Sequence, residues 1–157
     1  MMTAEDIAAA LRRAVKMLKK REYCAAQLCA KLQSHHSPDV ASAAVAKLQK
    51  DGLLSDLRFA RMVVRGKDKD GGQWAAARIA EALSGYGIGE ADAAVAMTEL
   101  AEDEQTRAKK ALGKKYPEPA KDAKTLASMA RFLSARGFDE ETIKAATGGD
   151  WHLADDI

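Results

Sequence analysis

Basic side chains recur three and four residues apart in this chain, so that wherever the backbone is helical they form rows. Arg12, Lys16, Lys19 and Lys20 make one row, Arg58, Arg61 and Arg65 a second, and Lys110, Lys114, Lys121 and Lys124 a third, which flanks Pro117 and Pro119. Such rows neutralise phosphates or meet an acidic protein surface. Solvated helix faces carry the same pattern. The other reactive side chains assemble nothing. Cys24 and Cys29 are five apart in a helical pattern and diverge by about 140°, too far to be bridged, and their spacing matches no zinc or redox motif. His35 and His36 are adjacent and diverge, and His152 is distant, so no metal pair is expected. Gly85, Gly87 and Gly89 alternate with no strand before them, which rules out a nucleotide fingerprint. The acids of residues 99–104 read as consecutive on an exposed helix, which suits charge complementarity better than acid/base catalysis. The sequence therefore predicts no catalytic, cofactor-binding or metal-ligating residue, and a binding protein rather than an enzyme.

Composition sets what kind of scaffold carries these rows. Apolar residues are 47% of the 157, but nearly half of them are alanine, and only two Trp, three Tyr and three Phe are present. Alanine favours helix and buries little area, so a thin-cored all-helical chain is expected and a large enzyme cavity is not. With 31% charged residues, three Pro and eleven Gly, the chain is neither a disordered tract nor a turn-rich β sandwich. The net charge of +2 conceals blocks. Residues 11–31 hold seven basic side chains and one acid, and residues 90–104 hold six acids and no base. Distinct basic and acidic territories are expected. No window reaches the roughly 18 apolar residues of a membrane span, and the start lacks a secretory apolar stretch, which predicts a cytoplasmic protein.

The helices that must position the rows are legible from apolar spacing and caps. Ile7, Leu11, Ala14 or Val15, and Leu18 place a first helix over about 5–20, and Leu28 and Leu32 a second over about 24–33. Ser37, Pro38 and Asp39 start a third that runs through Val45 and Leu48 to a stop at Gly52. Ser55 and Asp56 cap a fourth, with Phe59, Met62 and Val63, before a polar segment, Gly66 to Gly72, that reads as an exposed loop. Further helices are predicted from Gln73 to Ser84, from Glu90 with Val95 and Met97, through Arg107 to Lys115, and from about Ala120 with Leu126, Met129, Ala130 and Leu133 to Gly137. Asp139 caps a last one through Ile143. Phe59, Phe132 and Phe138 are predicted in the core. Tyr23, Trp74, Tyr86 and Tyr116 read as scattered, too few for a stacking platform. No helix shows base-reading residues on its leading face, so specific DNA reading is not predicted.

An internal repeat organises these helices. Leu32, Leu83 and Leu133 align at offsets of 51 and 50; four residues later stand His36, Gly87 and Gly137, seven later Asp39, Glu90 and Glu140, and ten later Ala43, Ala93 and Ile143. Each copy reads as a helix, a tight turn and an acid-started helix.

At these repeats and two flanking motifs, over about residues 10–147, the sequence resembles the RecX family, bacterial regulators of the recombinase RecA. The first motif is Ala14-Val15-Lys16-Met17-Leu18-Lys19-Lys20-Arg21-Glu22-Tyr23 with Leu28 and Lys31-Leu32, and the second is Gly52-Leu53-Leu54-Ser55-Asp56-Leu57-Arg58-Phe59-Ala60. The third is Arg78-Ile79 with Glu81, Leu83 and Gly87-Ile88. The fourth is Lys115-Tyr116 with Arg131-Phe132-Leu133 and Arg136-Gly137-Phe138. Cys24 stands where the family favours a capping serine, which should weaken that helix start by roughly 1 kcal/mol. Ser55 replaces the first of two usual acids, and the segment 66–73 with Trp74 departs from the pattern.

The resemblance implies an all-α fold: an elongated, curved array of three tandem three-helix, helix-turn-helix-like repeats, at residues 1–57, 58–102 and 103–147, with 148–157 a loose acidic tail. It implies a monomer that docks on the RecA filament on DNA, mainly inhibits its ATPase, strand exchange and coprotease activity, and acts in DNA recombination, repair and the SOS response. Direct DNA binding is implied for many members. The expected contact residues are Arg12, Lys16, Lys19, Lys20, Arg21, Arg58, Arg61, Arg65, Arg78, Lys110, Lys114, Lys124, Arg131 and Arg136. A general helical nucleic-acid-binding protein without a recombinase partner is the other reading.

Overall fold

The computed structural model describes residues 2–72 and 74–149, and every regular element among them is helical. In chain order these are α1 (Ala4–Lys20), α2 (Ala25–Leu32), α3 (Pro38–Lys50), α4 (Asp56–Gly72), α5 (Ala76–Gly85), α6 (Glu90–Met97), α7 (Glu104–Lys115), α8 (Ala123–Ala135) and α9 (Glu140–Thr147). The helix start expected at Gln73 and the tail from residue 150 onward lie outside the described residues.

Short helices need their terminal N–H groups answered, and here side chains answer them. Thr3 and Asp6 form a reciprocal capping box on α1, each bond 3.1 Å. Ser37 Oγ accepts from Val40 N–H ahead of Pro38 at the start of α3. Asp103, Asp122 and Asp139 each accept from the N–H of a threonine three residues on, at 2.8, 2.7 and 2.8 Å, and so start α7, α8 and α9. Helix α2 is different. Its Cys24 thiol donates to the carbonyl of Tyr86 at 3.3 Å, and the Ala25 N–H is taken by the Asp56 carboxylate at 2.7 Å. The local box is kept by Gln27, whose Oε1 accepts from Cys24 N–H at 3.4 Å, and a carboxylate 31 residues away answers the further N–H of Ala25.

Two of the three aligned repeat copies close with the same turn. Ile88 N–H reaches Leu83 O at 3.1 Å and Gly87 N–H reaches Ser84 O at 2.9 Å; Phe138 and Gly137 do the same to Leu133 and Ser134, at 3.2 and 3.0 Å. This is the Schellman motif, with Gly87 at φ 80° and Gly137 at φ 94° in the left-handed region. The first copy turns otherwise, through His36 N–H to Leu32 O at 2.9 Å. The aligned leucines Leu32, Leu83 and Leu133 are all fully buried.

The chain divides into two compact units. The first comprises Met1–Met62 and Leu83–Ala96, the second Val63–Ala82 and Met97–Ile157. In the first unit α1, α2 and α3 pack on one another around Ala10, Ala14, Leu28, Leu32, Val40, Ala44 and Leu48. In the second, α7, α8 and α9 pack around Ala108, Ala111, Leu112, Met129, Ala130, Leu133, Phe138 and Ile143. Small alanines at the contact faces let the helices approach closely, so the cores are thin.

Four expectations are corrected. Gly66 to Gly72 is not a loop; α4 continues through it. Interior glycine costs a helix about 1 kcal/mol, and tertiary anchors offset that cost: Asp68 is held by Arg107 at 3.0 Å, and Lys67 lies over the Trp74 ring at 4.6 Å. The acids from Glu99 to Asp103 lie in the connection between α6 and α7 and not on a helix. In α6 it is Ala96 that is fully buried, whereas Val95 is 41% exposed, because the eight-residue helix turns only its Ala96 side to the core. Phe59 and Phe138 are core residues, but Phe132 is only half-buried, packed against the edge of the core.

Candidate functional site

The expected arginine stripe on α4 is engaged within the protein. Glu22 Oε2 accepts from Arg58 Nε, while Arg58 Nη1 and Nη2 donate to the carbonyls of Gly52 and Leu53 at 3.4 and 3.1 Å. Those carbonyls follow the end of α3, so the guanidinium ties that helix end to the start of α4. The Glu22 bond holds Arg58 protonated even more firmly than an ordinary arginine. The neighbouring Phe59 is buried and meets the Tyr86 ring edge-on at 5.0 Å. Arg65 makes a forked contact with Glu99, at 3.2 and 3.3 Å. Of the second motif, then, Asp56, Arg58 and Phe59 all serve as joints of the first unit.

Other expected contact residues are more open. Lys16, Lys19 and Lys20 are exposed on α1, and no ion pair involves them among the described residues. Arg12 is exposed beside Glu5 at 3.3 Å. Arg21 lies over the Tyr23 ring at 4.2 Å, with Lys31 5.9 Å from the same ring centre, and Arg13 donates to His36 Nε2 at 3.3 Å. The structure thus gathers Arg13, Arg21 and Lys31 near the lysine row, of which only Arg21 is in the expected set.

In the second unit the acidic block is consumed internally. Glu102 takes Lys110, Asp103 caps α7, and Glu104 accepts from both Arg107 Nη1 at 2.8 Å and Ala76 N–H at 2.9 Å. Arg107 itself is 1% exposed, also held by Asp68, and it donates to the carbonyl of Trp74. In the sequence Arg107 belongs simply to the helix running to Lys115, and nothing local marks it as buried, because the acid that holds it from outside that helix, Asp68, is 39 residues away. Arg78 pairs with Glu81 at 3.6 Å. Lys114 and Lys124 are exposed.

The tertiary structure also gathers aromatic rings that look scattered in sequence. Ser128, Arg131, Phe132, Ala135 and Arg136 fall at steps of three and four, on one face of α8 and its cap, opposite the buried Ala127, Ala130 and Leu133. Lys115 and Tyr116 come from the end of α7, and Trp74 from just before α5. Together these eight residues line an open groove of ≈ 550 Å³. Within it the Arg136 guanidinium lies over Trp74 at 5.6 Å and over Phe132 at 4.6 Å, and Lys115 lies 5.1 Å from the Phe132 centre and 5.7 Å from Tyr116. Tyr116 and Phe132 meet edge-on at 6.0 Å. Phe132 stands in this row with one side still packed against the core cluster of the second unit, which is why it is half-buried.

No cluster of three or more His, Cys, Asp or Glu suited to a metal ion occurs among the described residues, and no helix among them is long and apolar enough to cross a membrane. The two cysteines are free thiols, Cys24 buried and Cys29 half-buried.

Fold and surface together define an all-helical protein of three-helix repeats, with basic and aromatic groups displayed at its grooves. Known proteins of this kind are found among its relatives. The chain is 32% identical over 139 residues to the regulatory protein RecX of Chromohalobacter salexigens, covering 88% of this chain and 90% of that one. It is 36% identical over 147 residues to the regulatory protein RecX of Herbaspirillum seropedicae, covering 92% of each. The crystal structure of RecX from Lactobacillus salivarius superposes with a TM-score of 0.72 at 20% identity, over 99% of this chain and all of that one. No protein-family model matches the chain. The chain belongs to the RecX family of regulatory proteins.

Proposed function

We propose that this protein regulates the RecA recombinase by binding its filament on DNA, mainly inhibiting ATP hydrolysis, strand exchange and coprotease activity. The observation that carries the reading is the end-to-end relationship to regulatory proteins named RecX, at 36% and 32% identity over about nine-tenths of each chain. The physical design agrees with it. We read the chain as three repeats, residues 1–57, 58–102 and 103–147, with 148–157 a tail, and tandem helical modules let several weak contacts to a polymer add up. The exposed lysines of α1 supply cationic contacts for phosphates or acidic filament patches. On this reading the chain is a cytoplasmic monomer that performs no chemistry of its own.

The test is RecA ATPase activity stimulated by single-stranded DNA. Added at substoichiometric ratios, the purified protein is expected to lower the rate; an unchanged rate across a broad titration would end the proposal. The row of rings and cations beside α8 favours a second reading, a nucleic-acid-binding protein with no recombinase partner. Tighter retention by RecA-coated DNA than by bare DNA selects the first.

A further inference from the structure

We propose that the groove along α8 is a binding site for single-stranded nucleic acid, in which Trp74, Phe132 and Tyr116 stack on unpaired bases while Lys115, Arg131 and Arg136 meet the phosphates. The inference rests on the direct nucleic-acid binding named above, but not on the recombinase partner.

Its foundation is the order of groups along the groove. Read across it, they alternate: Trp74, then Arg136 between Trp74 and Phe132, then Phe132, then Lys115 between Phe132 and Tyr116, then Tyr116. A single strand presents the matching alternation, since each nucleotide offers one flat π face and one negative charge. Half-buried rings held by cations at 4.6 to 5.7 Å are pre-positioned, so little side-chain freedom is lost when a base adds to the row. Arg131 is exposed at the groove's edge, its guanidinium steadied by Ser128 Oγ at 3.2 Å. None of the eight lining residues is acidic.

The chemistry also chooses among polyanions. A duplex keeps its bases stacked inside, where rings in a surface groove cannot reach them, so a paired strand offers only its phosphates. An acidic peptide offers carboxylates, which the negative face of an aromatic ring repels. A strand with unpaired bases satisfies rings and cations together.

The experiment uses the full chain carrying Trp151→Phe, which leaves Trp74 as the sole tryptophan. Oligothymidylate of about eight nucleotides, within the site size of known single-strand binders, is titrated while tryptophan emission is followed. Binding is expected to quench Trp74. In the chain that keeps Trp151, followed with labelled oligonucleotide, Trp74→Ala is expected to weaken affinity about tenfold, and Trp74→Phe to preserve most of it. Arg131→Ala, at an exposed position that leaves the fold intact, is expected to lower the slope of log affinity against log salt by about 0.7. A duplex of equal length should bind more weakly.

Absence of oligothymidylate binding, binding without quenching, or unaltered binding by both Trp74→Ala and Arg131→Ala would overturn the site. Equal quenching by polyglutamate would overturn it in favour of an acidic protein ligand. Because the oligonucleotide arms contain no RecA, a failed ATPase assay alongside positive quenching would sink the recombinase reading and leave this site standing.

Discussion

A guanidinium with 1% of its surface in water must be answered by charge and by hydrogen bonds, and Arg107 has both: Asp68, Glu104 and the Trp74 carbonyl. It joins α4, α7 and the turn before α5 within the second unit. Replacing it with methionine keeps much of the volume and removes every bond. The expected loss is about 3 kcal/mol, at the low end for a broken buried pair because Asp68 and Glu104 are 33% and 40% exposed and regain water. Urea unfolding checks this, and an unchanged midpoint would show that Arg107 is replaceable. Nothing in its local sequence separates Arg107 from Lys109 or Lys110, which are exposed on the same helix. What separates them is the position of acids 39 and three residues away, and only the fold makes the first of these a neighbour.

Among the helices, the three of the second unit that begin with an Asp-x-x-Thr step share one pH response. The Thr106 and Thr125 N–H groups hold Asp103 and Asp122 below the usual carboxylate range, and Thr142 does the same for Asp139. A carboxylate with a lowered folded pKa contributes stability that is fully present above its unfolded value, about 4, and is lost as pH falls through the folded value. The melting temperature should therefore drop on acidification below about pH 4. A variant with Asp103→Asn, Asp122→Asn and Asp139→Asn should show a shallower drop while staying near wild type at neutral pH, since asparagine also caps. Parallel pH curves for the two proteins would refute the assignment. The turns carry a second expectation. At Gly137 a Cβ would sit 2.9 Å from the Arg78 Cβ at φ 94°, whereas Gly148 at φ 76° faces open space. Gly148→Ala should cost about 1 kcal/mol, the left-handed penalty alone, and Gly137→Ala clearly more, because the Arg78 backbone must also yield. Equal losses in thermal melts would show that α5 gives way freely. At Cys24 the weakening foreseen for α2 is offset twice, locally by Gln27 Oε1 on the Cys24 N–H and across the fold by the Asp56 carboxylate on the Ala25 N–H.

For the molecule as a whole, the division of labour among basic residues sets which of them are open to the proposed partner. Arg58 and Arg65 are bound to Glu22 and Glu99, and Lys16, Lys19 and Lys20 are not so occupied. Changing the three lysines together to glutamine should weaken retention on RecA-coated DNA and reduce the salt slope by about 0.9 for each lysine that meets a duplex phosphate. Arg58→Gln should instead lower the melting temperature slightly, a surface pair being worth about 1 kcal/mol or less, and leave the slope unchanged. If the lysine variant keeps the parent's affinity and slope, those side chains are merely solvated.

Sequence by itself determined the helices apart from the last turns of α4, because apolar spacing, Ser37-Pro38, the capping aspartates and the glycine stops are all local, acting within one turn of chain, whereas residues 66–72 are held helical by contacts from Arg107 and Trp74. The copies related by offsets of 51 and 50 were legible for the same reason, down to the leucines at 32, 83 and 133 and the shared turn at Gly87 and Gly137. Only the tertiary structure decided which charges are spent inside the protein and which rings stand together. Ion pairs and aromatic contacts depend on distances of a few ångströms between residues up to 62 positions apart, as between Trp74 and Arg136, and no periodicity along the chain encodes such distances.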